Sequence, residues 1–310
     1  MHIEKRRAGK RTKYYLAHAI RIGRKVRKIR VYLGTDKKAV KAKRGKAEQI
    51  INERIRAYEV ISDPFRQAPT SKEIEEIKSL EAKGSISIRH PNEEDWKIFT
   101  KSFVYDTNAI EGSSVTYTEV KDILEREKWP EEREKWEISE TYGVKDAVRL
   151  IRNTKEHLSL ELMKELHNIC FRNSKSFAGK FRKKGQEVAV VDWQGRIIHK
   201  GAPSVMVIKL VKDLGSWYHK NKKKYPPIVL AVVVHNQFET IHPFADGNGR
   251  VGRLLLNNIL LKHNKLPVNI EFENRMEYYA ALREYQENGN IRHMIELILK
   301  EYRNLKKLLG

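Results

Sequence analysis

The sequence has few of the features that mark secreted, disulfide-stabilised or membrane proteins. Among its 310 residues there is one cysteine, Cys170, so no disulfide can form within the chain. No apolar run reaches the about 18 residues that a membrane-spanning helix needs, and the first residues lack the apolar core of a signal peptide. These absences predict a cytoplasmic protein that makes no use of a membrane.

Acidic residues are also scarce, with 40 Asp and Glu against 62 Lys and Arg, which gives a net charge of +22. Most of the excess lies in residues 1 to 60, where 20 basic and 5 acidic residues give a net charge of +15. The remaining sequence is dominated by helical periodicity, and 40% of the whole chain is apolar. The composition predicts a globular, mainly α-helical protein with room for an accessory domain.

Residues 1 to 60 are predicted to form a separate basic module, a β-hairpin followed by a helix. The alternation from Lys13 to Gly34 predicts two strands that turn near Gly23, with neither face purely apolar. A helix is predicted from about Asp36, its N-cap, to Glu59. Residues 62 to 71 then have the composition of a linker.

The charge of this module favours nucleic-acid binding, because clustered cations with interleaved aromatic residues suit phosphates and bases. The aromatic residues concerned are Tyr14, Tyr15 and Tyr32. An alternative of about equal weight is a docking surface for an acidic protein, or simply a solvated face.

The most informative stretch is residues 241 to 253, IHPFADGNGRVGR, which combines a histidine, a carboxylate, two glycine turns and two arginines. Residues 254 to 262 have apolar side chains at helical spacing without Gly or Pro. The glycines therefore precede a helix, whose N-terminus offers unpaired N–H groups and a positive dipole end to an anion. The apolar run 228 to 238 before them fits either a strand or a buried helix.

Each polar residue of the stretch fits a step of phosphate chemistry. His242 is a candidate general base, because an ordinary imidazole titrates near neutrality. Asp246 is a candidate Mg²⁺ ligand, since this ion takes one or two carboxylates besides phosphate oxygens and water. Asn248 and Gly249 would cradle phosphate with their backbone N–H groups. A histidine alone would more often be a core or turn residue, so the neighbours carry the interpretation.

Two arginines, Arg250 and Arg253, follow the glycines. Because they are three residues apart on a helix, they lie on one face and both can fork onto phosphate oxygens. A plain hairpin turn is the alternative, but it would leave two cations at the positive start of a helix without a role.

The stretch resembles the signature of the Fic family, His-Pro-Phe-x-Asp-Gly-Asn-Gly-Arg-x-x-Arg, with every fixed position filled. The resemblance covers roughly residues 100 to 300 and implies a helical core that transfers AMP from ATP to a protein hydroxyl. ATP is then the co-substrate and Mg²⁺ the cofactor. The residues assigned to the nucleotide are Asp246, Gly247, Asn248, Gly249, Arg250, Val251, Gly252 and Arg253, together with Tyr278, Tyr279 and Gln286 on a later helix.

Two details qualify the assignment of the nucleotide. In Doc, a kinase-like relative, a lysine stands at the position of Gly249 and the transfer is of another kind, so Gly249 and Arg253 favour nucleotidyl transfer here. The tyrosines of the later helix would stack on a base, although aromatic residues at helical spacing are also typical of a core.

A β-rich segment resembles the family's flap, an edge strand that holds the target by β-augmentation. The flap residues are Val188, Ala189, Val190 and Val191, before a turn near Trp193-Gln194-Gly195. A plain surface hairpin is the alternative.

Residues 107 to 112, TNAIEG, match the family's inhibitory pattern Ser/Thr-x-x-x-Glu-Gly/Asn. Gly112 fits the position after a helix end, which would put Glu111 in the last turn. A carboxylate paired with Arg253 would remove the guanidinium that should grip the γ-phosphate. An exposed glutamate at a helix end is the alternative, and some relatives with this residue also remove AMP, with the carboxylate positioning water.

The expected fold is mainly α, a Fic-type helical core with a β-hairpin flap and a small basic N-terminal β-hairpin and helix module. The expected divisions are the basic module at 1 to 60, a linker and helical region with the inhibitory motif at 61 to 155, the catalytic core at 156 to 300, and the end of the C-terminal helix at 301 to 310. One functional hypothesis is an autoinhibited protein AMP transferase whose basic module chooses the target. The other is a nucleic-acid-associated regulator whose Fic site senses nucleotide. The target protein, the acceptor residue and a homodimer stay open.

Overall fold

A computed structural model of the chain describes residues 1–22, 25–82, 91–191 and 197–309. The chain divides into two compact units, Met1–Asp63 and Pro64–Gly310. Within the described residues, every helix is too short or too polar to cross a membrane.

The first unit is a three-stranded antiparallel sheet followed by one helix. Its elements are β1 (His2–Ala8), β2 (Arg11–Ile22), β3 (Lys25–Gly34) and α1 (Lys37–Ser62), with the strands in the order β1-β2-β3. The predicted hairpin is confirmed as β2 and β3, although its turn near Gly23 lies outside the described residues. β1 was not predicted, because five of its seven residues are polar and give no alternation.

One face of this sheet packs against α1 around the buried side chains of Leu16, Ile29 and Leu33. The face also contains Arg27, whose guanidinium lies 5.2 Å from the ring centre of Tyr58 on α1. Asp36 is the N-cap of α1, as predicted, and its Oδ1 accepts a hydrogen bond of 2.8 Å from the N–H of Ala39.

The second unit is mainly helical, as predicted. Its helices are α2 (Ser71–Ala82), α3 (Glu93–Ile110), α4 (Tyr117–Arg126), α5 (Lys135–Asn153), α6 (Leu160–Phe171), α7 (Val207–Asn221), α8 (Pro227–Ile241), α9 (Asn248–Lys262), α10 (Arg275–Asn288) and α11 (Arg292–Leu309). Two short antiparallel strands, β4 (Ala189–Val191) and β5 (Ile197–Lys200), lie between α6 and α7.

The core of this unit surrounds α8, which packs against α7, α9, α10 and α11. The apolar run at 228 to 238, which fitted either a strand or a buried helix, is a buried helix. A helix that is apolar on every side is expected to be buried all round. α8 and α9 are joined by a short loop, so the residues of that loop are held at the centre of the unit.

The segment with linker composition packs on the second unit. Pro64 is buried and its carbonyl accepts a hydrogen bond of 3.3 Å from the hydroxyl of Tyr285. The ring of Phe65 lies 5.7 Å from that of Trp217 and 4.9 Å from that of Tyr225. Composition alone predicted a linker because half of its residues are Pro, Ser or Asp, but its partly buried Phe65 packs on two aromatic side chains of the second unit.

Candidate active site

The loop between α8 and α9 is made by two residues in left-handed conformations. His242 ends α8 with φ 51° and ψ 63°, and its N–H donates to the carbonyl of Phe238 at 2.9 Å. Pro243 follows and has no N–H with which to continue the helix. Gly247 precedes α9 with φ 77°, and a Cβ there would overlap the ring of Phe171. A left-handed histidine is strained, so surrounding contacts must hold it.

A buried histidine, His167, anchors the other end of this loop. Its ring stacks on Phe244 with 3.9 Å between centres. Its Nδ1 accepts from the N–H of Gly179 at 2.8 Å, so its Nε2 carries the proton and donates to the carbonyl of Asp246 at 3.1 Å. Burial lowers the pKa of His167 to about 4, which keeps this arrangement neutral.

Arg182 holds the start of the loop. Its buried guanidinium donates to the carbonyls of His242 at 2.7 Å, Ile241 at 3.1 Å and Gln186 at 3.0 Å, and also to that of Ala202. These carbonyls belong to the end of α8 and to the segments on either side of β4 and β5. One side chain therefore joins the two strands to the strained histidine.

The imidazole of His242 is a neutral base with one free nitrogen. Its Nδ1 lies 3.3 Å from the carbonyl oxygen of Glu239, which can only accept, so Nδ1 carries the proton and Nε2 keeps its lone pair. Burial, with a smaller effect from His199, lowers the pKa of His242 to about 4. The prediction of an ordinary imidazole pKa near neutrality was wrong, because sequence alone does not report burial.

Glu239, one turn before His242, is a second titratable group that the sequence analysis missed. Burial and the nearby charge of Glu111 raise the pKa of its carboxyl to about 8, so it is protonated at neutral pH. A Cβ on Gly252 would overlap Glu239 Oε1, so this glycine lets α9 approach the carboxyl closely. The signal available in the sequence was a glutamate three residues before the histidine in an apolar helix.

The first turn of α9 presents backbone N–H groups that precede its hydrogen-bonded ladder. The ladder begins with the N–H of Val251, which donates to the carbonyl of Gly247 at 3.2 Å, so the N–H groups of residues 248 to 250 lie before it. The side chain of Asn248 closes the loop, since its Oδ1 accepts from Phe244 N at 2.8 Å and its Nδ2 donates to Phe244 O at 3.1 Å. Asn248 thereby fixes where the N–H groups point.

The carboxylate of Glu111 lies at this helix start. α3 ends with Glu111 as its C-cap, and Gly112 follows with φ 91° as its position in the pattern predicts. A Cβ on Gly249 would overlap Glu111 Oε1, so the carboxylate lies directly on the α9 backbone. The same oxygen accepts a hydrogen bond of 2.8 Å from Arg253 Nη2. An internal anion therefore occupies an anion-binding helix end.

Arg253 is buried and is held by more than Glu111. Its Nε donates to Thr107 Oγ1 at 2.7 Å, its Nη2 to Thr107 O at 3.0 Å, and its Nη1 to the hydroxyl of Tyr278 at 3.3 Å. Glu111 receives one hydrogen bond from this guanidinium. Loss of the glutamate would release one N–H while the other contacts keep Arg253 in place.

Arg250 has a different set of partners from Arg253. Its Nη1 donates to Glu140 and, at 3.4 Å, to Asn108 Oδ1, and its guanidinium lies 4.4 Å from the ring centre of Phe171. Its Nε is buried without a hydrogen-bond partner among the described residues. The expected pair of arginines on one face is thus divided between two polar clusters.

The carboxylate of Asp246 is half-exposed at the other side of the loop. Its Oδ1 accepts from Gly247 N at 2.6 Å, and its Oδ2 lies 2.8 Å from Lys175 Nζ. Burial opposes ionisation, but Lys175 and Arg250 hold the pKa of Asp246 below its usual value. In the described part of the chain no cluster of three or more His, Cys, Asp or Glu side chains could hold a metal ion.

The remaining residues predicted to contact nucleotide differ in their burial. Val251 and Tyr278 are buried, and the Tyr278 hydroxyl also hydrogen-bonds with His235 Nε2 at 3.0 Å. Tyr279 is partly buried and donates to the carbonyl of Ile110 at 2.8 Å, while Gln286 is partly buried on the same helix. Tyr278 takes the core position that its helical spacing allowed.

The two short strands form an antiparallel hairpin whose base lies against His242. Ala189 pairs with Lys200, and the predicted turn at 193 to 195 lies outside the described residues. His199 Nε2 donates to the carbonyl of Thr240 at 3.1 Å, and its ring centre lies 6.3 Å from that of His242. A Cβ on Gly201 would lie 3.1 Å from His242 Cβ. The hairpin and the histidine therefore form one rigid arrangement.

A helical unit with this loop and hairpin belongs to the class of Fic-fold proteins. The solved structure of a Fic-domain signalling protein from Bacteroides thetaiotaomicron aligns with a TM-score of 0.63 at 21% identity, over 76% of this chain and 93% of that chain. Residues 157–260 match the Fic/DOC family, so the chain carries a Fic domain. The Fic resemblance of the motif is thereby confirmed.

Two curated relatives bear the name protein adenylyltransferase. The relative from Nematostella vectensis is 29% identical over 203 residues, which are 64% of this chain and 45% of that protein. The relative from Caenorhabditis elegans is 31% identical over 205 residues, 64% of this chain and 39% of that protein. The chain spans less than half the length of these relatives.

Proposed function

We propose that this chain transfers AMP from ATP to a Ser, Thr or Tyr hydroxyl of a target protein or of itself, and that Glu111 restrains the transfer. One observation carries the proposal: the Glu111 carboxylate lies on Gly249 at the positive end of α9. A site that already draws an internal anion is suited to a phosphate, and the two anions compete for it. The names of the relatives support the class of reaction.

In the proposed reaction, the acceptor hydroxyl oxygen bonds to the α-phosphorus of ATP. The bond from that phosphorus to the oxygen shared with the β-phosphate breaks, and pyrophosphate leaves. The hydroxyl proton passes to Nε2 of His242, which is free because Nδ1 is committed to the carbonyl of Glu239. A pKa of about 4 makes His242 unprotonated at neutral pH but a weak base, so we expect the proton to move late, once the new bond has begun to form.

The phosphates would be held by the first turn of α9 and by Arg253. The N–H groups of residues 248 to 250 precede the helical ladder and are the donors of the cradle. Any side chain on Gly249 would fill the space into which the Glu111 carboxylate now fits, so glycine is required for a phosphate there as well. When Glu111 leaves, the freed N–H of Arg253 can grip the outermost phosphate.

Asp246 is the residue that would hold Mg²⁺, because its carboxylate is ionised, half-exposed and beside the cradle. Bound Mg²⁺ would neutralise phosphate charge. Lys175 now occupies that carboxylate, 2.8 Å from Oδ2, and its Nζ also lies 3.3 Å from Glu140. We infer that Lys175 keeps Asp246 charged and in place, and that Glu140 would still pair with this lysine if Asp246 held Mg²⁺.

The hairpin of β4 and β5 would hold the target segment. A two-stranded sheet leaves backbone groups at its edges, and an extended segment that pairs there is bound through its main chain rather than its sequence. Because His199 and Gly201 lock β5 to the end of α8, a segment paired with the hairpin would present its hydroxyl beside His242.

The test is intact mass spectrometry of the full chain after incubation with Mg²⁺ and each nucleoside triphosphate in turn. The variant Glu111→Gly lifts the restraint, and the double variant Glu111→Gly with His242→Ala is its matched control, since it keeps the phosphate cradle. We expect an AMP adduct with ATP in the first variant and a transfer rate lower by roughly 10² to 10⁴ in the second. ATP binding by Glu111→Gly without an adduct on the chain, or on any protein of a cell lysate added to the same incubation, would favour a nucleotide sensor instead.

A role of Glu111 in removing AMP is tested with the same material. The Glu111→Gly chain that carries AMP is purified and incubated with Mg²⁺ and either unmodified wild-type chain or unmodified Glu111→Gly chain. Release of free AMP by wild type, and none by Glu111→Gly, would support water positioning by this carboxylate. Stable adducts in both incubations would exclude it.

A further inference from the structure

We propose that the outer face of the N-terminal sheet binds duplex DNA. This surface, called here the sheet face, is the side of β1 to β3 turned away from α1. Residues that oppose one another across antiparallel strands share a face, and Leu16, Ile29 and Leu33 mark the side packed on α1. The cations on the sheet face are Arg6, Arg11, Lys13, Arg21, Lys28 and Arg30.

A single carboxylate arranges three of these cations. Glu4 lies 2.7 Å from Arg6 Nε, 2.7 Å from Lys28 Nζ and 3.1 Å from Arg30 Nε. Hydrogen bonds from Lys28 and Arg6 lower the pKa of Glu4 to about 2, so the carboxylate stays ionised. One acid among six cations leaves the sheet face strongly positive and fixes where three of the charges lie. A preset array of cations is what a regular row of phosphates requires.

The width and profile of the sheet face fit the major groove of B-form DNA. Three strands span about 10 Å from the first to the third, since neighbouring strands are about 4.8 Å apart. The groove is about 12 Å wide and admits strands. On the middle strand, Ala19 is exposed and pairs with Lys28, whereas Ala17, which pairs with Arg30, is fully buried. Base edges can therefore approach the middle strand at Ala19, while the surrounding cations on the three strands reach the phosphates.

The aromatic residues of the sheet face favour a duplex over a single strand. Tyr15 and Tyr32 pack on each other with 5.4 Å between ring centres at 56°, and the guanidinium of Arg6 lies 5.9 Å from the ring centre of Tyr15. Single strands are bound by stacking bases on free ring faces, which these contacts restrict. The hydroxyls remain for hydrogen bonds to phosphates. Duplex RNA is disfavoured because its major groove is deep and narrow.

α1 provides a comparison of similar positive charge but different shape. Residues 37 to 46 contain six Lys and Arg, and its first turn has no acidic residue. An acidic protein drawn by charge alone would use this helix as readily as the sheet. If the sheet binds in the groove, the cations of the sheet face should contribute more to DNA affinity than those of α1, and this difference can be measured.

The test measures binding of the full chain to a fluorescent duplex by anisotropy over a salt series. The sheet-face variant is Lys13→Gln/Arg21→Gln/Lys28→Gln. The helix variant is Lys41→Gln/Lys43→Gln/Lys46→Gln, which removes the same charge from exposed positions of α1. We expect the sheet-face variant to bind at least about tenfold more weakly, with the log–log salt slope reduced by about 0.9 for each phosphate that the variant no longer neutralises. The helix variant should change affinity by less than about threefold.

A second variant, Ala19→Glu, places a carboxylate on the exposed midline without removing any cation or core group. It should abolish duplex binding while the circular dichroism spectrum and thermal unfolding stay as in wild type. The proposal is overturned by no duplex binding at low salt, by equal losses of affinity in the two triple variants, or by tighter binding of single-stranded DNA or duplex RNA of the same sequence. Preferential binding of an acidic polypeptide would replace DNA with an acidic protein partner.

Discussion

The loop before α9 and the sheet face both gather charged side chains, but they bury them to different degrees. Arg253 is 2% exposed, whereas the side chains of Lys28 and Arg6 keep 38% and 51% of their exposure. A buried charge interacts strongly with each neighbour and is costly when left unpaired. An exposed ion pair contributes about 0 to 1 kcal/mol and is screened by salt. Single buried residues therefore decide the chemistry at the loop, whereas the number and arrangement of exposed cations decide binding at the sheet face.

The largest contrast is expected from removing one arginine in each region. Arg182→Met takes four hydrogen bonds from backbone carbonyls, so His242 and the hairpin should lose their fixed geometry. In the Glu111→Gly background we expect transfer to fall about 10- to 100-fold with little change in ATP affinity, because the cradle is on α9.

The matched control is Arg21→Met on the sheet face, which should leave the rate of self-modification unchanged and stability within about 0.5 kcal/mol of the parent. Single-turnover rates, calorimetric ATP affinities and thermal unfolding provide the comparison. Equal effects of the two substitutions, or a loss of ATP affinity as large as the loss of rate with Arg182→Met, would refute the positioning role.

The pH profile of transfer tests the burial of His242. The base must be unprotonated, so the rate falls as the pH drops through its pKa of about 4. We expect kcat/KM of the Glu111→Gly variant to stay level between pH 5 and 7 with respect to this group. An exposed histidine of pKa about 6.5 would already cost about tenfold at pH 5.5. An inflection near 6.5 that disappears on replacing His242 would contradict the lowered pKa of this histidine.

Two glutamates should give smaller effects of opposite sign. The folded-state pKa of Glu239 is about 8, compared with its ordinary value of 4.5. Its contribution to stability is therefore complete below about pH 4.5 and is lost as the pH rises to about 8. The folded-state pKa of Glu4 is about 2, compared with its ordinary value of 4.5. Its contribution to stability is therefore present above about pH 4.5 and is lost as the pH falls towards 2.

Thermal unfolding of Glu239→Gln and Glu4→Gln over pH 3 to 9 measures both contributions. Relative to wild type, Glu239→Gln should gain Tm as the pH rises from 5 to 8. Glu4→Gln should lose Tm at neutral pH and recover as the pH falls towards 3. If the Tm of both variants, relative to wild type, changed with pH in the same direction, the two carboxyls could not have oppositely shifted pKa values. The account of burial at Glu239 and of neighbouring cations at Glu4 would then fail.

The parts of the site that were predictable from sequence are those that are local in the chain. The Gly-rich loop, the helix start after it and the end of α3 before Gly112 follow from turn and cap chemistry over a few residues. Arg182 and His167 were missed because they reach the loop from segments about 60 and 79 residues away. The low pKa of His242 depends on burial by all of these segments together, which no local pattern reports.

The central claim is that Glu111 holds the anion site closed, and the transfer rate of Glu111→Gly relative to wild type tests it most directly. We predict a rise of about 10- to 100-fold, the factor for losing one charge-assisted hydrogen bond, with a smaller rise for Glu111→Gln. Adding Arg253→Ala to Glu111→Gly should abolish the gain, since the released guanidinium is then missing. An unchanged or lower rate in Glu111→Gly, measured as AMP incorporated with ATP and Mg²⁺, would contradict the claim.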